Sequence, residues 1–237
     1  MRMGVLHVTT TKQPPYRSRI TVRSPWLAGM GFVNGAAVRA VPIQDGFTLS
    51  LLNEKNVRER GKLLRVGLAT NQRLILTLYL AQNFATTGLV DGDFLAAGYE
   101  YGLITAMKLP EAQKYYVMGY QNHGAFLQMS GGWLDDTGFA PDTITTVALT
   151  RDGISFTAWN DASITYGEIV KHARERMYQI IQARRNQQIT TMDVPGYIFT
   201  RAGFGQGDIV GVRYEYGTIQ LFKPDLRKLG FAWPAAP

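Results

Sequence analysis

Arg201-Ala-Gly-Phe-Gly-Gln-Gly-Asp-Ile-Val-Gly-Val-Arg-Tyr-Glu-Tyr-Gly-Thr-Ile-Gln-Leu221 is the stretch that decides the fold, because degenerate copies of it occur four times in the chain. Aligned on a Gly-apolar dipeptide, the copies bring Gly31-Phe32, Gly88-Leu89, Gly138-Phe139 and Gly203-Phe204 into register. Four residues before each glycine stands a large apolar side chain, Leu27, Phe84, Leu134 or Phe199. Four residues after it comes a second glycine, at Gly35, Gly92 and Gly207, with Asp142 breaking the pattern. Fourteen or fifteen residues on, a turn glycine (Gly46, Gly102, Gly153, Gly217) separates two runs of strand composition. The repeated unit reads as a short helical turn, a glycine break, a strand, a tight turn and a second strand.

The copies sort into two kinds. The first and third carry Trp26-Leu27 and Trp133-Leu134 and turn on Asp45-Gly46 and Asp152-Gly153. The second and fourth share Gly92-Asp93 and Gly207-Asp208 and turn on Tyr99-Glu100-Tyr101-Gly102 and Tyr214-Glu215-Tyr216-Gly217. This alternation predicts duplication of a two-module segment, with one pair over residues 1–112 and another over 113–237. The competing reading is chance recurrence of turns in a chain with 25 glycines.

The string apolar-x-x-x-Gly-Phe-x-x-Gly-(Asp)-x-Val-x-Val, followed by a glycine turn, resembles the SymE-like branch of the AbrB swapped-hairpin proteins, best over 198–221 and next over 20–52. The resemblance implies four swapped-hairpin-like modules arranged as two pseudo-dimers in one chain. It also implies a DNA-binding regulator, or in the SymE-like branch a toxin acting on nucleic acid.

Composition narrows the class. A chain of 237 residues with 46% hydrophobic and 18% charged residues folds and buries a core. No run approaches the roughly 20 apolar residues of a membrane span, and Met1-Arg2-Met3-Gly4 leads into a strand-like segment rather than a signal peptide, so no membrane partner and a cytoplasmic setting are expected. Cysteine is absent, which excludes disulfides and thiolate chemistry. His7, His123 and His172 have no metal-ligand spacing, and no metal or cofactor is expected.

The net charge of +7 is uneven: residues 1–70 carry +8, residues 71–165 carry −5 and residues 166–237 carry +4. A basic region set against an acidic middle predicts one face for a polyanion and another for a protein partner such as a polymerase. A second copy of the chain is a further candidate partner.

Strands are expected at Met3–Thr10, Ala37–Val41, Phe47–Leu52 and Leu74–Leu80 from their alternation and β-prone composition. One long helix is expected over Thr165–Gln188, where Ile169, Ala173, Met177, Ile180 and Ile181 recur at helical spacing. Lys171, Arg174, Tyr178 and Arg185 would fall together on its flank as a basic stripe, a pattern that a plain solvated helix face also produces. The expected class is mainly β (α+β), with four β modules and this helix.

Catalytic signals are weak. Gly203 to Gly207 lacks the Lys-Ser/Thr of a phosphate loop, and Asp91/Asp93 and Asp135-Asp136 have no histidine or basic partner nearby in sequence. Binding has more support. Lys and Arg attract phosphates, and aromatic faces stack on any base. The candidate contacts are Tyr16, Arg17, Arg19 and Arg23 before the first module; Lys55, Arg58, Arg60, Lys62 and Arg65 after it; Lys114, Tyr115 and Tyr116; and Lys171, Arg174, Tyr178 and Arg185. Only the first module has a basic first strand, so the symmetric duplex grip that the resemblance implies is weakened and single-stranded DNA is favoured. The expected function is non-enzymatic, sequence-tolerant DNA binding in transcription or replication, in a bacterial cell, a virus-infected host or a mobile element. The alternatives are a nucleic-acid-cleaving toxin, a duplex-binding regulator and a structural adaptor.

Overall fold

The computed structural model describes the chain except residues 1, 12–16, 24–25, 54–60, 70–72, 81–83, 85–86, 111, 122–123, 187 and 230–237. Its contacts divide the chain into two compact units, one formed by Met1–Pro110 with the segment that begins at Asp225, the other by Glu111–Pro224. Strand outweighs helix by 51% to 15%, which makes the protein mainly β.

The first unit is a nine-stranded sheet built from β1 (Arg2–Thr10), β2 (Ser18–Arg23), β3 (Ala37–Ile43), β4 (Gly46–Leu51), β5 (Lys62–Arg65), β6 (Gly67–Leu68), β7 (Leu74–Tyr79), β8 (Phe94–Glu100) and β9 (Leu103–Lys108). The strand order is β5-β3-β4-β9-β8-β1-β2-β7-β6. β5 and β6 stand at opposite ends of this order, yet a single residue, Val66, joins them in the chain. The sheet therefore curls into a nearly closed barrel. Alternation decides what fills it: on β2, Ile20 and Val22 point inward and are fully buried, while Arg19, Thr21 and Arg23 point outward. Phe32, Phe47, Leu49, Leu76, Leu78, Leu95 and Ile104 complete a core from which water is excluded.

The second unit comprises β10 (Lys114–Val117), β11 (Gly119–Gln121), β12 (Gly124–Phe126), β13 (Gln128–Ser130), α1 (Gly132–Asp136), β14 (Ile144–Thr150), β15 (Gly153–Trp159), α2 (Tyr166–Glu175), β16 (Gln179–Gln182), β17 (Arg184–Asn186), β18 (Ile189–Asp193), α3 (Gly196–Arg201), β19 (Ile209–Glu215) and β20 (Thr218–Phe222). Its larger sheet runs β10-β19-β20-β15-β14-β16, the same order as β1-β8-β9-β4-β3-β5. A separate ladder, β13-β18-β17, matches β2-β7-β6. Ala183 alone joins β16 to β17, as Val66 joins β5 to β6.

Hydrogen bonds repeat with the strands. Gly102 N–H donates to the Met30 carbonyl and Gly217 N–H to that of Thr137; Gly35 N–H donates to the Val66 carbonyl and Asp142 N–H to that of Ala183. The recurring glycines have a shared cause. Gly31, Gly88, Gly138 and Gly203 all lie at φ between 66° and 87°, and Asp142, where the glycine is missing, keeps the left-handed backbone at φ 69°. A Cβ at Gly46 would strike the Ala106 carbonyl oxygen, and one at Gly153 would strike that of Leu221. The apolar members of the motif, including Leu27, Phe32, Leu134, Phe139 and Phe199, are fully buried.

The fold class needs correction in two respects. Four swapped-hairpin modules paired as pseudo-dimers do not describe a chain in which the first nine strands join one nearly closed sheet and the second unit repeats most of its strand order. The long helix over Thr165–Gln188 is also not formed: α2 ends at Glu175, and Ile180 and Ile181 lie on β16, paired with Thr146 and Thr145. The Tyr178 N–H bonds back to the Ala173 carbonyl at 2.7 Å, closing the helix with Met177 in the left-handed conformation at φ 54°. Helical periodicity alone did not reveal this stop, because glycine usually fills that position and methionine does so here. At its start, α2 is held by Thr165 and Glu168, whose side chains each accept a hydrogen bond from the other's backbone N–H. Among the described residues the only other α-helices are α1 and α3, of five and six residues.

Candidate nucleic-acid interface

The outward face of β2, β7 and β6 gathers several of the expected contacts. Arg19 stands opposite Thr9 of β1 on one side and Tyr79 of β7 on the other. Thr21 faces Thr77, and Arg23 faces Ile75, which in turn faces Gly67. Directly opposed residues share a face, so a row of arginine and tyrosine and a row of arginine and isoleucine flank the Thr21–Thr77 row. Arg17 and Arg23 are exposed, and Arg19 is half-buried. The chain entering β2 is pinned where Thr11 N–H donates to the Arg17 carbonyl and Arg17 N–H donates to Thr11 Oγ1.

Among the described residues no carboxylate lies within ion-pair distance of Arg17, Arg19 or Arg23; the pairs present are Asp93–Lys108, Asp208–Lys223 and Asp225–Lys228. The buried Nε of Arg19 has no hydrogen-bond partner there either. One donor of this face is therefore left for water or a ligand to satisfy.

The remaining contacts are dispersed. Lys62 is half-buried opposite Ala40, and the exposed Arg65 reaches the Gly35 carbonyl through Nη1 at 3.4 Å. Tyr16, Lys55, Arg58 and Arg60 lie outside the described residues. In the second unit Lys114 sits over the Trp133 ring at 5.4 Å, and that ring stacks on Tyr214 at 4.8 Å. The first unit has a counterpart in Arg2 over Trp26, also at 5.4 Å, with Tyr99 edge-on to the same ring.

Tyr115 is buried edge-on against Phe222, and burial pushes its hydroxyl up to about 12 against the opposing charge of Arg213. Its ring has no face to offer a base. Tyr116 is half-buried and also raised, chiefly by burial. Lys171 and Arg174 are exposed on α2, Tyr178 follows the helix and touches His172, and Arg185 is exposed on β17. The expected basic stripe is thus distributed over a helix, a turn and a strand.

Sequence reasoning missed Tyr79, because its opposition to Arg19 depends on β2 pairing with β7, a contact between distant segments. Tyr101 and Tyr216, absent from the expected contacts, are 79% and 73% exposed at matching hairpin tips. Tyr99, on the other side of the same turn, is buried, with its hydroxyl pushed up to about 12 by desolvation.

Charge separates along the same boundary. The first unit holds fifteen Lys/Arg against seven Asp/Glu, a formal +8, and the second holds ten against eleven, a formal −1. On the second unit, the rows equivalent to β2–β7 read Gln128 opposite Asp193 and Ser130 opposite Thr191, and the Gln128 amide donates to Asp193. Among the described residues no group of three His, Cys, Asp or Glu could hold a metal ion, and no helix is long and apolar enough to cross a membrane. Searches of protein-family models, curated proteins and solved structures find nothing that matches this chain.

Proposed function

We propose that the protein binds DNA without cleaving it, tolerates sequence, favours single strands, and serves transcription or replication inside a bacterial or virus-infected cell. The observation that carries this reading is that the Arg19–Tyr79 row and Arg23 share an outward sheet face, with no carboxylate among the described residues within ion-pair distance of either arginine. Arginines supply phosphate attraction, and the tyrosine supplies a stacking surface that accepts any base. An open sheet face suits a strand laid across it, because splayed bases can reach side chains that a closed duplex would hold at a distance.

The test is fluorescence anisotropy of the full chain with an unstructured oligo-dT, its duplex and an RNA of equal length across a salt series. Arg19→Glu with Arg23→Glu should weaken oligo-dT binding on the order of 10- to 100-fold and flatten the salt slope by about 1.4, two phosphate contacts at roughly 0.7 each. Unchanged affinity in this double variant would remove the face from consideration. Tighter binding to duplex than to oligo-dT would reject the single-strand preference.

A further inference from the structure

The second unit is close to neutral, yet it contains a cleft of about 190 Å³ at the end of α2, between β14, β16 and α3. Met177, Tyr178, Leu149 and Tyr197 supply its apolar surface, and Arg176 and Arg201 its charge. Met177 is 88% exposed, Tyr197 50% and Leu149 42%, an unusual concentration of large apolar side chains in water. Neither arginine makes an ion pair among the described residues, and no carboxylate lines the cleft. The Tyr197 hydroxyl donates to Gln179 Oε1 at 2.7 Å, which fixes one edge of the ring and leaves the rest exposed.

Two further observations bear on the site. Met177 holds a left-handed backbone that disfavours a side chain, and it does so while presenting that side chain to solvent. Local strain of this sort gathers at ligand sites. In addition, Gln179 opposite Val147 is the counterpart of Lys62 opposite Ala40, so the corresponding corner of the first unit also has a cation.

We infer that this cleft is a nucleobase subsite: one base of a single strand enters between Tyr197, Tyr178 and Met177, and Arg176 and Arg201 contact the phosphates on either side of it. The inference rests on the proposed single-strand binding and adds a second point of contact to it. The cleft is small enough to accept one planar ring system and too small for a folded peptide segment, and its two arginines, which have no ion-pair partner among the described residues, attract an anion. Stacking between a tyrosine and a base, with guanidinium groups at the flanking phosphates, meets both demands.

The experiment uses the full chain with its methionine methyl groups labelled, the Met177 signal being identified by its loss in Met177→Leu. Oligo-dT should shift that signal through the ring current of an inserted base. Tyr197→Ala and Arg201→Glu should each weaken oligo-dT binding on the order of 10-fold, and only Arg201→Glu should also flatten the salt slope. If oligo-dT binds in anisotropy while the Met177 signal stays fixed and both variants bind as the parent does, the subsite is rejected and the first-unit face stands. If the chain binds no oligonucleotide at all, both proposals fall. A polyglutamate peptide that moves the Met177 signal as far as oligo-dT does would reject the base in favour of a protein ligand.

Discussion

Strand β2 of the first unit and β13 of the second occupy the same place in matching ladders and present opposite surfaces. β2 shows Arg19, Thr21 and Arg23 outward, opposite Tyr79, Thr77 and Ile75. β13 shows Gln128 and Ser130, opposite Asp193 and Thr191. Behind these surfaces the two interiors agree closely: Val22 and Leu76 are matched by Met129 and Met192, all four buried. One scaffold is thus carried twice with its cations differently placed: Arg19 and Arg23 stand on β2, whereas β13 has none and the row of Ser130 and Thr191 ends in the exposed Arg184 of β17.

The largest effect should come from disturbing what the copies share. Phe32 and Phe139 are equivalent, fully buried members of the repeat. Phe32→Ala and Phe139→Ala should each cost about 3 to 5 kcal/mol in urea denaturation. A cost for one that is less than half of the other would show that the copies do not depend on this position equally.

A smaller effect should separate them. Gln128→Glu with Ser130→Glu, at the places that Thr21 and Arg23 hold on β2, should leave oligo-dT affinity within about twofold, since no cation is lost. An equal loss from both double variants would mean that charge anywhere on the chain matters and that the β2 rows are not a site.

Smaller still is a difference inside the core. Thr145 takes the place that Val38 holds in the first unit; both are fully buried, and Thr145 Oγ1 has no hydrogen-bond partner among the described residues. Thr145→Val should stabilise the protein by about 1 kcal/mol, and Val38→Thr should destabilise it by about 1 to 3 kcal/mol, because a buried hydroxyl without a partner costs free energy. Destabilisation by Thr145→Val would reveal a partner for that hydroxyl.

The smallest effect involves α2, for which the first unit has no described counterpart. The Glu168 carboxyl is held below its usual range by the Thr165 N–H and hydroxyl that it accepts from. A lowered pKa in the folded state means that this cap contributes above the ordinary carboxylate pKa and is lost as pH falls through the folded value. Helical content should decline slightly on acidification, and Glu168→Gln, which keeps an acceptor, should remove most of that dependence. An identical acid profile in Glu168→Gln would assign the change to other carboxylates.

Much of the scaffold was legible in the sequence because it depends on local backbone geometry. Glycines four residues apart, with Asp142 replacing one of them, mark two left-handed positions around a buried phenylalanine or the half-buried Leu89, and that requirement recurs wherever the turn does. Of the turn glycines, Gly102 and Gly217 share that local cause, at φ 73° and 79°, whereas Gly46 and Gly153 are required by the close approach of a neighbouring strand. Which strands lie side by side was not, since the pairing of β2 with β7 or β4 with β9 joins segments about 55 residues apart and leaves no periodic trace. The candidate face suffered accordingly: its arginines could be named, whereas Tyr79, which faces one of them, could not. The false long helix had a different origin, because Ile169, Ala173, Met177, Ile180 and Ile181 satisfy a helical period although only the first two belong to α2.

Val66 and Ala183 give the shared architecture a consequence for solubility. Each is a single residue between two strands that lie at the ends of a sheet or ladder, β5 and β6 in one unit, β16 and β17 in the other. An open sheet offers its outermost strands to any passing chain, and proteins commonly defend such edges with lysines, prolines or bulges. By running one strand directly into the next across a single buried residue, the chain brings those ends together and leaves less free edge for a neighbour to extend. Protection against strand-by-strand association is thereby built into the path of the backbone, independent of pH and salt.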